Sequence, residues 1–154
     1  MERLDRVLGR RGGGAVLELA DTSAWTASLR NRTIGDAFNR AVAHGQIATC
    51  RAVAVELVRS SRTVSEIEER REKLDALRDL PIRRREWDRA LDVMHALAEH
   101  DPLSHRRMPL VDLLVAAAAE SAEVAVLHYD RHFERIAEIT GQPHRALAPL
   151  GSLP

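Results

Sequence analysis

Apolar positions in this chain follow two rhythms in turn. Short, nearly continuous apolar runs alternate with longer stretches in which apolar residues recur every three or four positions. Residues 16–20 (VLELA) are the first short run and predict a buried parallel strand, with Glu18 near its outer end. Asp21-Thr22-Ser23 interrupts the run, and Ser23 is placed to cap a helix over residues 24–29. Residues 31–44 carry Ile34, Ala37, Phe38, Ala41 and Val42 at helical spacing, and Gly45 closes that helix. Residues 46–49 predict a second strand. Residues 51–60 (RAVAVELVRS) predict a helix with Glu56 embedded in its apolar face. Thr63-Val64-Ser65-Glu66 has the form of a capping box. It opens a helix to about residue 78 on a narrow stripe of Val64, Ile67, Leu74 and Leu77.

Leu80-Pro81-Ile82 reads as a brief strand or extended link. After Arg83, Arg84 and Arg85 comes an amphipathic helix whose expected inner stripe is Trp87, Ala90, Leu91, Met94, Leu97 and Ala98. Asp101-Pro102 stops it, and a polar, basic loop leads to Met108. Residues 110–121 (LVDLLVAAAAES) form an Ala-rich apolar helix and residues 124–128 a strand. A last helix turns Phe133, Ile136, Ala137 and Ile139 inward, ends at Gly141, and is followed by an edge strand over residues 145–147. Strands alternating with helices predict an α/β/α domain: three layers around a short central parallel sheet. Residues 1–14, charged and ending in Gly12, Gly13 and Gly14, read as a flexible lead-in. Residues 15–150 read as the domain, and residues 151–154 as a tail.

Composition narrows the function. The 154 residues suffice for one domain with a real core. Basic and acidic residues balance at 23 each, so no global field draws the chain to nucleic acid or membrane, and any such contact must be local. Lys73 is the only lysine, so the basic residues are nearly all the Arg type that grips phosphate or carboxylate bidentately. Cys50 stands alone, which excludes an internal disulfide and a cysteine metal cage. The N-terminus has no apolar signal segment, and no apolar run reaches membrane-spanning length. The expectation is a soluble, cytoplasmic protein.

Four carboxylates stand in otherwise apolar settings: Asp21, Glu56, Asp112 and Asp130. Each has a plain alternative: a turn, a surface ion pair, a helix-dipole contact or an N-cap. Together they suggest more. Asp21 and Asp130 follow carboxyl ends of strands, where ligands bind in open parallel sheets, and Asp112 and Glu56 sit on helices able to face that edge. Acids gathered there repel unless one holds a proton or a cation intervenes. Hard divalent ions such as Mg²⁺ and Mn²⁺ want such oxygen ligands and can activate water against a phosphate.

The ordered set of a strand before Asp21-Thr22-Ser23, Glu56 on an apolar helix, Val111-Asp112-Leu113-Leu114 and Tyr129-Asp130-Arg131-His132-Phe133 resembles PIN-domain ribonucleases. More narrowly it resembles VapC-type toxins of bacterial toxin–antitoxin pairs. The resemblance spans roughly residues 15–150. It implies a PIN-like fold with Asp21, Glu56, Asp112 and Asp130 as a metal-binding catalytic pocket. It also implies Mg²⁺- or Mn²⁺-dependent cleavage of RNA by activated water, a homodimer, and inhibition by an antitoxin protein. Two features depart from the family pattern. Many relatives carry a further Asp where this chain has His132, which leaves a second cation weakly held or replaced by water there. The extension before Val16 is also longer than usual.

Other residues have competing readings. Ser23 is a candidate to hold Asp21 or a water, and Arg106, Arg107 and His132 are candidate substrate contacts at the rim. Arg83 to Arg85 read as a solvated face. His128 and His132 bracket Asp130, which places both near the pocket, although they do not form a metal-ligand pair on one helix. Trp25 and Tyr129 suit either base stacking or core packing. The narrow stripe over residues 64–77 suits a second copy of the chain, an antitoxin helix, or an ordinary surface helix. A non-catalytic PIN-fold module and a phosphoacceptor receiver domain are the alternative functions. The only lysine, Lys73, lies on a polar helix, away from where a receiver needs one.

Overall fold

The computed structural model describes residues 16–154, so the expected flexible lead-in over residues 1–14 lies outside the described residues. Five strands form one all-parallel sheet: β1 (Glu18–Ala20), β2 (Ile47–Thr49), β3 (Arg78–Asp79), β4 (Ala125–His128) and β5 (His144–Ala146), in the order β3-β2-β1-β4-β5. Seven helices surround it: α1 (Thr22–Ser28), α2 (Arg32–Ala43), α3 (Arg51–Arg59), α4 (Val64–Asp75), α5 (Arg84–His100), α6 (Leu110–Ser121) and α7 (Arg131–Thr140). A 3₁₀ turn, Ser104–Arg107, occupies the expected loop between α5 and α6. Among the described residues no helix is long and apolar enough to cross a membrane.

Successive residues of a strand point to opposite faces, and the short strands are buried on both. Leu19, Ala48 and Val126 face the larger core, with α3, α5, α6 and α7. Ala20, Ile47 and Leu127 face the smaller one, with Ala24 of α1 and Phe38 of α2. The three-layer α/β/α expectation therefore holds.

α6 is the pivot of the larger core. Leu113 through Ala119 are all buried, and the helix packs against α3, α5, α7 and the central strands. Methyl side chains from Ala116 to Ala119 let its axis approach the sheet, which a row of Leu would prevent. That close seat brings the first turn of α6, carrying Asp112, to the carboxyl ends of β1 and β4.

Several local expectations shift. Ser23 does not cap the first helix; Asp21 does, its carboxylate accepting the Ser23 N–H at 2.9 Å. The third strand falls at Arg78–Asp79, and Leu80-Pro81-Ile82 is the extended link of the two alternatives, because a proline cannot donate to the ladder. On α5 the inner stripe is Glu86, Ala90, Val93 and Leu97, while Trp87 and Leu91 are 48% and 63% exposed. The cause is Glu86, which is fully buried. Its carboxylate accepts the Arg83 N–H at 2.7 Å, the Ser121 hydroxyl at 2.6 Å and Arg85 Nε at 2.6 Å. A carboxylate satisfied this fully can be buried, and it rotates the helix about one residue from the purely apolar solution.

Candidate active site

Asp21 directly follows β1, and its N–H extends the parallel ladder to the Leu127 carbonyl at 2.9 Å. Two residues on, the Ser23 hydroxyl accepts the Tyr129 N–H at 2.9 Å, tying the segment after β1 to the segment after β4. Asp130 caps α7 by accepting the His132 N–H at 3.0 Å. The chain leaves β1 toward β2 on one side and β4 toward β5 on the other, so a crevice opens between them. This is the topological switch point at which open α/β sheets bind ligands.

Asp112 reaches this crevice from the first turn of α6. Glu56 reaches it from α3, held by the Thr22 hydroxyl, which donates to its Oε2 at 2.7 Å. All four acids line one cleft of about 440 Å³, together with Thr26 and Tyr129. Arg30 is the one cation among the described residues lining it, and its guanidinium lies 6.0 Å from the Tyr129 ring centroid. A second hollow of about 500 Å³ lies along α7 and β5, lined by Glu134, Glu138 and His144. Among the described residues it gathers no cluster of cation ligands.

The electrostatics of the cleft are strained. Asp21 is 3% exposed; burial raises its pKa, opposed by hydrogen bonds at Ser23 and reinforced by Glu56. Burial and then the charge of Asp21 push Asp112 to about 7 against the pull of His132. Asp21 Oδ1 is buried without a hydrogen-bond partner among the described residues, and a buried carboxylate oxygen left open is costly. The set is chiefly carboxylate oxygen with one imidazole nitrogen, and Asp112, Asp130 and His132 present ligand atoms within 4.8 Å of one another. An unpaired oxygen among acids that repel fits a divalent cation with hard oxygen ligands.

Ser23 lines the same cleft. His132 lies against it, with Nδ1 2.8 Å from Asp112 Oδ2 and 3.2 Å from Asp130 Oδ1. Arg106 and Arg107 are exposed on the 3₁₀ turn and are not among the lining residues. Trp25 is a packing residue, edge-on to Phe38 at 4.9 Å. His128 is fully buried behind the site. Its Nδ1 accepts the Asp130 N–H, which leaves Nε2 to donate to His144 Nδ1 at 2.9 Å. Burial and then His144 lower its pKa to about 4, so it stays neutral. Thr22, Thr26 and Arg30 were not anticipated. Their spacing of four places them on one side of α1 and its continuation, beside Asp21, and that was the available signal.

A family model of the PIN domain matches residues 19–139. Ribonuclease VapC18 of Mycobacterium tuberculosis is 35% identical over 133 residues, covering 86% of this chain and 96% of the relative. Ribonuclease VapC21 of the same species is 47% identical over 57 residues, 37% of this chain and 40% of the relative. Among solved structures, DNA-bound VapBC from Salmonella typhimurium matches with a TM-score of 0.64 at 17% identity, over 86% of this chain and 99% of that one. VapBC-1 from nontypeable Haemophilus influenzae matches with a TM-score of 0.64 at 15% identity, over 86% and 98%.

Proposed function

The chain belongs to the PIN-domain family, with the VapC ribonucleases, and from that premise we infer that it is an endoribonuclease acting as the toxin of a toxin–antitoxin pair. Its activity depends on Mg²⁺ or Mn²⁺, and its partners are RNA, an inhibitory antitoxin and a second copy of itself. The observation that carries the catalytic reading is the convergence of Asp21, Glu56, Asp112 and Asp130 on one cleft at the switch point, with Asp21 Oδ1 left open.

In this mechanism Asp21 and Asp112 are the central ligands, and Glu56 and Asp130 complete the site directly or through water. The bound cation supplies water activation and neutralises charge that develops on the phosphate. Thr22 fixes the rotamer of Glu56. Burial and the charge of Asp21 raise Asp112 to about 7, and a cation held there would take the place of its proton and relieve that repulsion. Arg30, which lines the same cleft as the acids, holds an RNA phosphate there, and Tyr129 offers a ring on which a base can stack.

The test is cleavage of a structured RNA in Mn²⁺ by the wild type and by Asp21→Asn. The expected result is loss of at least 100-fold in the variant, the order seen when a transition-state-stabilising group is removed, roughly 10²–10³. Equal cleavage by the two proteins refutes the assignment. Growth arrest on induction, relieved by co-expression of the adjacent small gene, tests the toxin reading.

A further inference from the structure

We propose that His132 is itself a ligand of the cation site, a nitrogen donor that tilts this cleft toward Mn²⁺ and later first-row divalent ions such as Co²⁺, and away from Mg²⁺. The inference rests on the metal-dependent function above and deepens it.

Three observations meet at this residue. The first is spacing: His132 Nδ1 lies 2.8 Å from Asp112 Oδ2 and 3.2 Å from Asp130 Oδ1. Adjacent donors on an octahedral ion about 2.1 Å away stand roughly 3.0 Å apart. The second is orientation. Asp130 receives the His132 backbone N–H at 3.0 Å, and the same carboxylate caps α7, so the turn carrying the imidazole is held by one of its own partners. Asp112 approaches from a different helix, α6. Two elements thus converge on one ring nitrogen. The third is independent of both: Asp21 Oδ1, in the same cleft and on a residue 3% exposed, has no hydrogen-bond partner among the described residues.

One proton or one cation can satisfy His132 Nδ1. With a proton there, the ring donates to two carboxylates and Asp21 Oδ1 stays open. With a cation, Nδ1 becomes a ligand beside Asp112 and Asp130, and the ion also lies in the cleft that Asp21 lines. An Asp at position 132 would complete an all-oxygen set, which suits Mg²⁺. An imidazole replaces one hard oxygen with a nitrogen, which Mg²⁺ accepts poorly and which favours metals later in the first-row series.

The experiment uses the full chain without RNA. Spin-echo modulation of bound Mn²⁺, with protein in excess, is expected to show coupling to a directly bound ¹⁴N in the wild type and none in His132→Asp. Calorimetric titration is expected to show the ratio of Mg²⁺ to Mn²⁺ dissociation constants falling by about tenfold or more in His132→Asp, within the range for altered metal shells. His132→Gln, with circular dichroism to confirm folding, reads the same loss of coupling should the Asp variant not fold. Mn²⁺ binding with no ¹⁴N coupling and an unchanged ratio overturns His132 as a ligand and leaves the cation site standing. No Mn²⁺ binding by the wild type overturns this inference and the metal dependence together. RNA cleavage is a separate readout, so an inactive protein that binds Mn²⁺ through nitrogen supports the ligand while refuting the nuclease.

Discussion

Replacing Asp112 by Asn is expected to abolish cleavage and, without metal, to make the protein more stable at alkaline pH. Asp112 is 8% exposed, and burial followed by the charge of Asp21 pushes it from an ordinary 3.8 to about 7. A carboxyl with a raised folded pKa holds its proton more tightly folded than unfolded. Its contribution to stability is therefore complete below the ordinary pKa and is lost as pH rises through the folded one. The shift spans about three pKa units, and each is worth about 1.36 kcal/mol, so the ionised site forgoes about 4 kcal/mol by pH 8. Asn carries no charge and escapes that loss, but it weakens the hydrogen bond with His132, which costs about 1 kcal/mol. The net expectation in chelator is a gain of roughly 1–3 kcal/mol for Asp112→Asn at pH 8, shrinking to nothing or less near pH 4. Urea unfolding at a series of pH values reads both proteins directly. Excess Mn²⁺ should reverse the order, since only the wild type gains binding free energy. A variant that is less stable at pH 8, or a gap that does not change between pH 4 and pH 8, refutes the reasoning.

Three further outcomes are expected. Thr22→Val removes the hydroxyl that holds Glu56 at 2.7 Å; cleavage should fall by about tenfold with stability nearly unchanged, a misplacement effect, and a variant at wild-type rate would show that Glu56 needs no such anchor. Arg30→Gln should weaken RNA binding and reduce the slope of log affinity against log salt by about 0.7, as for one lost phosphate contact on a single strand; filter binding across salt concentrations reads this, and an unchanged slope removes Arg30 from the interface. Glu86→Ala breaks three hydrogen bonds and leaves the Ser121 hydroxyl and the Arg83 N–H without that partner; the chain should lose about 3 kcal/mol in urea unfolding, and a loss under 1 kcal/mol would show that water replaces the carboxylate.

Much of the site was legible in order along the chain, although its assembly was not. Asp21 and Asp130 stand at strand ends because the apolar runs before them stop, and runs of that kind in a parallel sheet make strand ends visible. Asp112 is visible because it interrupts an apolar helix in its first turn. Glu56 could be found on its apolar face, but nothing nearby in sequence shows that Thr22 holds it from 34 positions away. Arg106 and Arg107 are close in sequence to Asp112, yet the 3₁₀ turn keeps them exposed and off the cleft wall.

Local periodicity and turn chemistry by themselves determined the alternation of strands and helices and the three-layer class, and they marked four acids in apolar settings without joining them into one site. These depend on which residues can be buried and which must cap or turn, and such preferences act over a few positions. The tertiary structure alone decided the strand order, and with it the crevice between β1 and β4 where the acids meet. It also decided the rotation of α5, because burying Glu86 requires Ser121 from another helix as well as its own Arg83 and Arg85. The same holds for the place of His132 against Asp112 and Asp130, which only the convergence of α6 and α7 could set. A buried charge is tolerated only where distant groups satisfy it, and those partners are chosen by packing.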